Sequence, residues 1–547
     1  MSCITESIFT QKSLQFEATN VNMNIIPLDS AIENAKFGVL NITAKQRLPF
    51  QEEYDFIYVE DQSGSMDDKC DDGRTKMHHS HHTLKNMIRY IQEHPEIRAR
   101  ISVYSFDDKV YSILERTVVT NENIQELLLK IDKIWPAGGT NMEIALRKVK
   151  ESIDIIKADT PHSNIVQIFM TDGDVNIGSD NHNILRELVD DTIQNHFIGF
   201  GADHNSMLLN AVASGKHSHY RFIDKIENAG IIYGEIFNEI FNRTIKNVHF
   251  VVTNGLIYNF KEDTWESTLY IGDIIGETCK SYHIVSSSKE SCSIMMTGNK
   301  IEDGYNEVIE QFTTANSLSD LTNYKYRQQV LQLLFKCNKY SHNKNNKLNE
   351  YKLHKIIGND LKEELTQLLK EMKAYMLDNC LTNDKFMKNL CDDVFICYKT
   401  FQTPYGVMYT NARLSSQGTQ RVYSAKYIPE QSFTYPSPIS MFGRCNSLSL
   451  SQPDEDVEDE DVFAQPNKHV PLLHQLSNFR DTPYATPKAT AIMRSFSEGT
   501  STSDIYQLEI EKEDESEEEI EIKRITDTDM SPSEESLYLS DTDPEED

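Results

Sequence analysis

The 547-residue sequence lacks paired cysteine motifs and long apolar runs. Its nine cysteines are scattered and none belongs to a CxxC pair, which argues against a disulfide framework and against a zinc site. No stretch approaches the length of a membrane-spanning helix, about 18 consecutive apolar residues, and the N-terminus lacks the basic start and apolar run of a signal peptide. These absences predict a cytoplasmic protein that has no membrane partner.

Basic residues are also scarce, since the formal net charge is −31. From Ser451 to Asp547 there are 28 acidic and 7 basic residues, a balance of −21, so the other 450 residues carry only −10. A strongly acidic chain repels the phosphate backbone of nucleic acids. We therefore expect no nucleic-acid partner.

The familiar catalytic motifs are missing as well. The chain has no Walker A motif, no GxSxG and no HExxH, and no nucleophile–base arrangement stands out. Phosphoryl chemistry at a Mg²⁺ site would need a second metal or a basic residue, and the basic residues considered for that role are Arg74 and Lys76, shortly after the loop described next. We expect no enzymatic activity, and a Mg²⁺-dependent hydrolase stays as the third alternative.

What the chain does contain is the pattern DxSxS, formed by Asp61, Ser63 and Ser65 directly after the apolar run 54–59. It places one carboxylate and two hydroxyls on a tight turn that Gly64 relaxes. Hard divalent cations prefer oxygen ligands of this kind. Alone the pattern is weak, because Ser and Asp are common turn residues.

Two later segments strengthen it. Residues 137–142 read AGGTNM ahead of a helical pattern, and residues 165–174 form a buried-type strand that ends in TDGD. Loops between strands and helices cluster at the carboxyl ends of a parallel sheet, where ligands bind. Five oxygen side chains should then converge on one site for Mg²⁺ or Mn²⁺: Asp61, Ser63, Ser65, Thr140 and Asp172.

The order DxSxS, GGTN and TDG resembles the von Willebrand factor A (vWA) domain with its metal-ion-dependent adhesion site (MIDAS). The likeness continues into residues 197–204 and 220–224 and spans roughly residues 50–246. The resemblance implies that Ser63, Ser65 and Thr140 bind the metal directly, while Asp61 and Asp172 act mostly through bound waters. It also implies that one coordination position stays open for a carboxylate from a partner.

Hydrophobic periodicity agrees with an α/β fold that has a doubly wound, mostly parallel sheet. We predict strands near 54–60, 101–106, 110–118, 164–171, 195–200 and 219–223. The strand 110–118 follows a short turn and should be an antiparallel edge. We predict helices near 75–93, 122–133, 141–157, 182–194, 204–214 and 226–244.

The flanks of this α/β segment predict further domains. Residues 13–48 and 247–310 alternate like strands, so we expect one small antiparallel β domain with the vWA domain (50–246) inserted in it. Residues 317–400 have helical spacing and predict a helical domain, whose simplest role is structural, with a partner-binding helix as the alternative. Residues 271–277 and 412–421 resemble segments of intracellular vWA proteins.

Residues 430–547 are rich in Ser, Pro, Thr, Asp and Glu, which predicts a disordered acidic tail. A tethered tail reaches an effective concentration in the millimolar range, roughly, so its carboxylates could occupy the open metal position of the same chain. We keep this intramolecular contact as a hypothesis. The run His78–His82 could bind Zn²⁺ or Cu²⁺, but we expect structural or adventitious roles for these histidines.

The leading hypothesis is an intracellular adaptor that binds an acidic residue of a protein partner through Mg²⁺. The alternative is a phosphoprotein scaffold that acts through its acidic tail, with the vWA domain as a structural platform.

Overall fold

The fold was analysed in a computed structural model of the chain. It describes residues 8–20, 35–46, 52–70, 72–201, 204–287, 291–301, 306–318, 320–342, 348–403, 405–423 and 483–498.

Two strands, β1 (Phe9–Asn20) and β2 (Ala35–Ala44), precede an α/β unit built on a six-stranded sheet. Apart from one edge strand, its strands are largely apolar and buried on both faces, as expected for a sheet covered by helices. They are β3 (Glu53–Asp61), β4 (Arg98–Phe106), β5 (Val110–Val118), β6 (Asn164–Thr171), β7 (Gln194–Phe200) and β8 (Ser218–Ile223). The order is β5-β4-β3-β6-β7-β8, and β5 is the antiparallel edge strand, as predicted.

Six helices cover the two faces of this sheet: α1 (Lys76–Glu93), α2 (Ile124–Ile131), α3 (Met142–Asp159), α4 (His182–Arg186), α5 (Ser206–Val212) and α6 (Ala229–Phe241). Helices α1, α2 and α6 share one apolar core with the sheet. Helices α3, α4 and α5 share a second core on the other face. The doubly wound α/β prediction is confirmed.

The predicted helix 182–194 is wrong over its second half, because α4 ends at Arg186. The backbone then turns tightly, with hydrogen bonds from Leu188 N to Leu185 O and from Val189 N to Arg186 O. Asp190 accepts a bond from the backbone N–H of Thr192, 2.8 Å long. An aspartate that bonds the backbone two residues later favours a turn over a helix.

A nine-stranded sheet combines β1 and β2 with seven strands that follow the α/β unit. These are β9 (Arg243–Thr253), β10 (Gly255–Asn259), β11 (Thr264–Glu266), β12 (Thr268–Ile275), β13 (Cys279–Ser287), β14 (Ser293–Lys300) and β15 (Asn306–Leu318). The order is β11-β10-β13-β2-β1-β15-β14-β9-β12. The expectation of antiparallel pairing fails between β1 and β15, which are parallel.

Four helices follow: α7 (Thr322–His342), α8 (Leu348–Asp378), α9 (Lys385–Thr400) and α10 (Gly406–Thr419). The predicted helical domain, 317–400, did not include α10. Side chains from these helices share one apolar core with Tyr258 of β10. The buried pair of Arg413 on α10 and Asp393 on α9, 3.1 Å apart, joins two of the helices.

Most of the predicted acidic tail lies outside the described residues, including its acidic runs. Within it, Pro487–Glu498 form a helix, α11, so the prediction of disorder does not hold for this segment. Helix α11 packs against α6 and α1. None of the helices in the described ranges combines the length and apolar character that a bilayer span requires.

Candidate functional site

The DxSxS loop begins where β3 ends. Asp61 is the last residue of the strand, and its Oδ1 accepts a 2.7 Å hydrogen bond from the backbone N–H of Ser63. The other carboxylate oxygen, Oδ2, accepts a 2.6 Å bond from the hydroxyl of Thr171 at the end of β6. A short 3₁₀ turn, Gly64–Asp67, then leads the chain away. Both carboxylate oxygens of Asp61 thus accept hydrogen bonds and hold the loop against the end of β6.

Hydroxyl groups connect this loop to the loop after β6. Ser63 Oγ lies 3.1 Å from Ser65 Oγ, and Ser65 donates to Asp172 Oδ1 over 2.7 Å. Ser63 and Asp172 are buried, and Ser65 is half-buried. Four of the five predicted site residues therefore form one hydrogen-bonded cluster.

The fifth, Thr140, comes from the loop before α3. A Cβ placed on Gly173 would lie 3.5 Å from Thr140 Oγ1 and 3.8 Å from Ser65 Oγ, so both hydroxyls face the same point. The loop is fixed by a 3.1 Å bond from Gly64 N to the Gly138 carbonyl. The structure thus brings all five predicted residues together at the carboxyl ends of β3 and β6.

Two glycines shape the Thr140 loop. Gly138 has φ +68°, a conformation that side chains rarely adopt. A Cβ on Gly139 would lie 2.5 Å from Asn176 Oδ1. That oxygen accepts the backbone N–H of Thr140 at 2.7 Å, so the missing side chain at position 139 allows Asn176 to hold Thr140.

Lys76, the first residue of α1, also reaches the cluster. Its Nζ donates to Asp172 Oδ2 over 2.7 Å and to Asp68 Oδ2 over 3.2 Å. The side chain of Asp172 is fully buried, and that of Lys76 is 16% exposed. Both carboxylate oxygens of Asp172 therefore have partners, one a serine hydroxyl and the other an ammonium group.

Burial sets the electrostatics of the cluster. Burial raises the pKa of Asp61 to about 6, and the charge of Asp172 adds to the rise, while bonds from Thr171 and Ser63 oppose it. Next to it in β3, burial raises the pKa of Glu60 to about 8, although a hydrogen bond from Ser80 counteracts the rise. Negative charge at this end of β3 is thus costly in the absence of a cation.

Sequence reasoning missed several residues that build the site. It named Lys76 only as a nearby basic residue, it quoted Thr171 in the TDG motif without a role, and it did not consider Glu60 or Asn176. The position of Lys76 follows from two backbone hydrogen bonds that return the chain towards the loop, from Cys70 N to Arg74 O and from Lys76 N to Asp68 O. The alternation of strand and turn residues in the sequence does not indicate that the chain brings Lys76 back to the DxSxS loop.

Residues 55–237 match the family model described as the von Willebrand factor type A domain. This segment is a vWA domain. Strands β3–β8 and helices α1–α6 make up its sheet and its two helical layers. Among curated proteins, none matches the sequence of this chain.

Solved structures of similar fold include three at low identity. The von Willebrand factor type A protein from Catenulispora acidiphila is 13% identical, with a TM-score of 0.40 over 61% of this chain and 84% of that chain. The ArnB paralog VWA2 from Sulfolobus acidocaldarius is 13% identical, with a TM-score of 0.41 over 76% of this chain and 97% of that chain. Proximal thread matrix protein 1 from the mussel byssus, with a zinc-occupied MIDAS motif, is 16% identical, with a TM-score of 0.29 over 38% of this chain and 50% of that chain. These TM-scores are too low for the likeness to carry an argument about function.

The donor set of the vWA domain fits a hard divalent cation. Its groups are hydroxyl and carboxylate oxygens, which Mg²⁺ and Mn²⁺ prefer. The ammonium group of Lys76 lies against the same buried carboxylate, which shows that the cluster accommodates a positive charge. Among the described residues, no group of three His, Cys, Asp or Glu side chains is placed to hold a metal, and the run His78–His82 forms none.

Proposed function

We propose that the vWA domain binds Mg²⁺ or Mn²⁺ at Asp61, Ser63, Ser65, Thr140 and Asp172, and through it a carboxylate of a protein partner. The observation that supports this most is the hydrogen-bonded cluster in which Ser65 links Ser63 to Asp172 over 3.1 and 2.7 Å. The loops after β3 and β6 contribute oxygen atoms to this cluster, and the hydroxyl of Thr140, from a third loop, faces the same point. Such convergence is what a metal site needs and what a surface turn does not provide.

The protein groups suit a site that recruits an external anion. Both oxygens of Asp61 already accept hydrogen bonds, from Ser63 N and from Thr171 Oγ1, which favours an indirect role for this carboxylate. The groups left to contact the ion directly are then the neutral hydroxyls of Ser63, Ser65 and Thr140. A bound divalent ion would supply a positive charge that these hydroxyls do not neutralise, so that an incoming carboxylate is attracted.

We also propose binding rather than catalysis. Phosphoryl transfer needs a cation that is available to the transferred group. Lys76, the cation at this cluster, is engaged by Asp172 and Asp68. A cytoplasmic location and the scaffold role of the acidic tail remain predictions from the sequence, and the acidic runs lie outside the described residues.

Calorimetric titration of Mn²⁺ and Mg²⁺ into the full chain tests the metal site. The unmodified chain should show one saturable site, and Ser65→Ala and Thr140→Ala should abolish it. Ser214→Ala is the matched control, because Ser214 is an exposed loop serine that contacts Arg186. The absence of saturable binding to the unmodified chain, or equal binding by Ser65→Ala, would overturn the proposal.

Carboxylate recruitment is tested separately with acetate as the probe. The methyl resonance of acetate should broaden more strongly with the Mn²⁺-loaded chain than with Mn²⁺ and Ser65→Ala under the same conditions. Equal broadening in both samples would show that the bound ion offers no position to an external carboxylate.

A further inference from the structure

Helix α11 occupies a groove between α1 and α6 of the vWA domain. Its apolar side chains recur at helical spacings of three and four residues, a stripe typical of a helix that binds in a groove. They are nearly inaccessible to solvent: Ala489 (2% exposed), Ile492 (3%), Met493 (1%) and Phe496 (0%). The ring of Phe496 lies 4.8 Å from that of Phe237 on α6 and 5.2 Å from that of Tyr90 on α1, measured between centroids.

Two glycines on α6 let the helix backbones touch. A Cβ on Gly234 would lie 2.4 Å from Met493 Cα, and one on Gly230 would lie 2.7 Å from Ser497 Cα. Glycine costs roughly 1 kcal/mol relative to alanine inside a helix. Glycines four residues apart lie on one face of α6, and the close approach of α11 gives them a structural reason.

Side chains of α1 bind the last turn of α11. Asn86 Nδ2 donates to the Phe496 carbonyl over 2.7 Å, and His82 Nε2 lies 2.9 Å from the Ser497 carbonyl oxygen. Arg89 orients Asn86 by donating to its Oδ1 over 2.9 Å. Carbonyls of a last helical turn have no partner within their own helix. The groove therefore recognises a feature that every helix C-terminus presents.

We propose that the groove between α1 and α6 is a helix-docking surface, and that residues 483–498 of the same chain bind there as a separable ligand. The vWA family model ends at residue 237 and does not include this segment. In the sequence, 59 residues separate it from Tyr423, the preceding described residue. The type of ligand that fits is an amphipathic helix with small or flexible side chains against Gly230 and Gly234 and an aromatic residue near its C-terminus.

A peptide-binding experiment on the full chain tests this surface. Phe496→Asp should release α11, and a fluorescent peptide of residues 483–498 should then bind the variant with a saturable rise in anisotropy. The unmodified chain should not bind it, because the tethered helix competes at an effective concentration in the millimolar range, roughly. The matched control is the same peptide carrying Asp at position 496, which should not bind either chain.

Variants with a filled groove complete the test. Gly234→Leu combined with Phe496→Asp should lose peptide binding while keeping the circular dichroism spectrum of Phe496→Asp alone. If Phe496→Asp is unfolded, or is folded and binds no peptide, α11 is an integral part of the core and the proposal is wrong. If the unmodified chain is a dimer by light scattering and Phe496→Asp is a monomer, a second copy supplies the helix and the assignment to the same chain is wrong.

Hydrogen exchange on the unmodified chain gives an independent readout. A separable α11 should open locally, so its amides should exchange at a lower free energy than those of β3 and β6. Equal protection of α11 and the central strands would contradict separability. None of these measurements involves a metal, so failure of the proposed metal site would leave the docking surface untouched.

Discussion

The residue that most changes the expected behaviour of the metal site is Lys76. Burial lowers the pKa of this lysine, but the nearby carboxylates of Asp172 and Asp68 more than offset that effect and raise it above its ordinary value. Lys76 therefore stays charged at neutral pH. It neutralises Asp172 from within the chain, and an incoming divalent ion would meet a positive charge beside its ligands.

Replacing Lys76 with Gln should strengthen Mn²⁺ binding. Removing one charge a few ångströms from a divalent ion relieves repulsion of about 1–2 kcal/mol when solvent screening is strong, which corresponds to an affinity gain of about tenfold. Calorimetric titration of both chains measures the change directly.

The control for this variant is Lys85→Gln. Lys85 lies on the same helix but pairs with Asp132, so its replacement should leave the Mn²⁺ affinity unchanged. Weaker binding by Lys76→Gln than by the unmodified chain would show that the lysine supports the metal site instead of competing with it.

At this scale the sequence revealed the oxygen donors but not their surroundings. Asp61, Ser63, Ser65, Thr140 and Asp172 were predictable because each follows a strand or precedes a helix at a fixed spacing. Their role as metal ligands remains a prediction. Lys76 was not predictable, because a turn returns it to the loop, and the burial of Glu60 depends on the packing of α1 against the sheet.

At the scale of elements, the loop before α3 should tolerate no side chain at Gly139. In Gly139→Ala the new methyl group would displace Asn176, which holds the backbone N–H of Thr140. We expect Mn²⁺ affinity to fall about tenfold or more, the loss expected when a ligand is held loosely. Gly64→Ala is the control, since a Cβ there meets only the Gly138 carbonyl oxygen at 3.6 Å, an ordinary contact. Equal affinities of the two variants would rule out this role of Asn176.

Helices α9 and α10 depend on a buried ion pair. The guanidinium of Arg413 is fully buried against Asp393, which also accepts a 2.7 Å bond from Gln417 Nε2. Asp393→Ala removes this carboxylate from the buried arginine, which should lower the free energy of unfolding by about 3–5 kcal/mol. Urea denaturation measures this loss. Glu363→Ala, at an exposed position on α8, should cost about 1 kcal/mol or less, as surface substitutions do. Similar losses in both variants would contradict the importance of the pair.

Some elements could have been predicted better than they were. Pro487 directly after Thr486, followed by the stripe of Ala489, Ile492, Met493 and Phe496, is a local helix signal. Disorder was predicted here instead of a helix, because the surrounding tail is acidic. For α10 the difficulty was different, because its polar residues, including Arg413 and Gln417, are buried by partners on other elements and show no amphipathic pattern.

At the scale of the whole molecule, buried histidines should make the fold sensitive to acid. Burial lowers the pKa of His204 to about 4, and burial also holds the pKa values of His196 and His283 well below their ordinary value of 6.5. Below pH 6.5 the unfolded chain binds protons that the folded chain does not. The contribution of these histidines to stability is therefore fully present above pH 6.5 and falls as the pH is lowered towards 4.

His204 alone should account for about 2 kcal/mol of the loss at pH 5 relative to pH 7. Urea unfolding of the chain and of His204→Gln at both values isolates this share. The variant should lose less stability on acidification by about that amount. An identical loss in the two proteins would show that His204 accepts a proton in the folded state.

The overall assembly was predictable in its parts and not in its connections. Periodicity indicates which residues form strands. It does not indicate which strands pair, and the parallel alignment of Leu14 with Thr314 joins residues at opposite ends of the described β region. Partner choice over such a separation depends on how the complete chain packs.

The pairing of β1 with β15 determines how late in translation the nine-stranded sheet can form. Strand β1 lies between β2 and β15, and β15 ends at Leu318. The ribosome must therefore add 274 residues after the end of β2 before the nine-stranded sheet can be completed. At about 5–20 residues per second this takes about 15–55 s. The vWA domain, encoded in between, leaves the ribosome earlier and can fold in that interval. During each round of translation, β1 and β2 are made long before β15, and until then the edge of β1 is open to pairing with other chains, which is the kind of exposure that chaperones counteract.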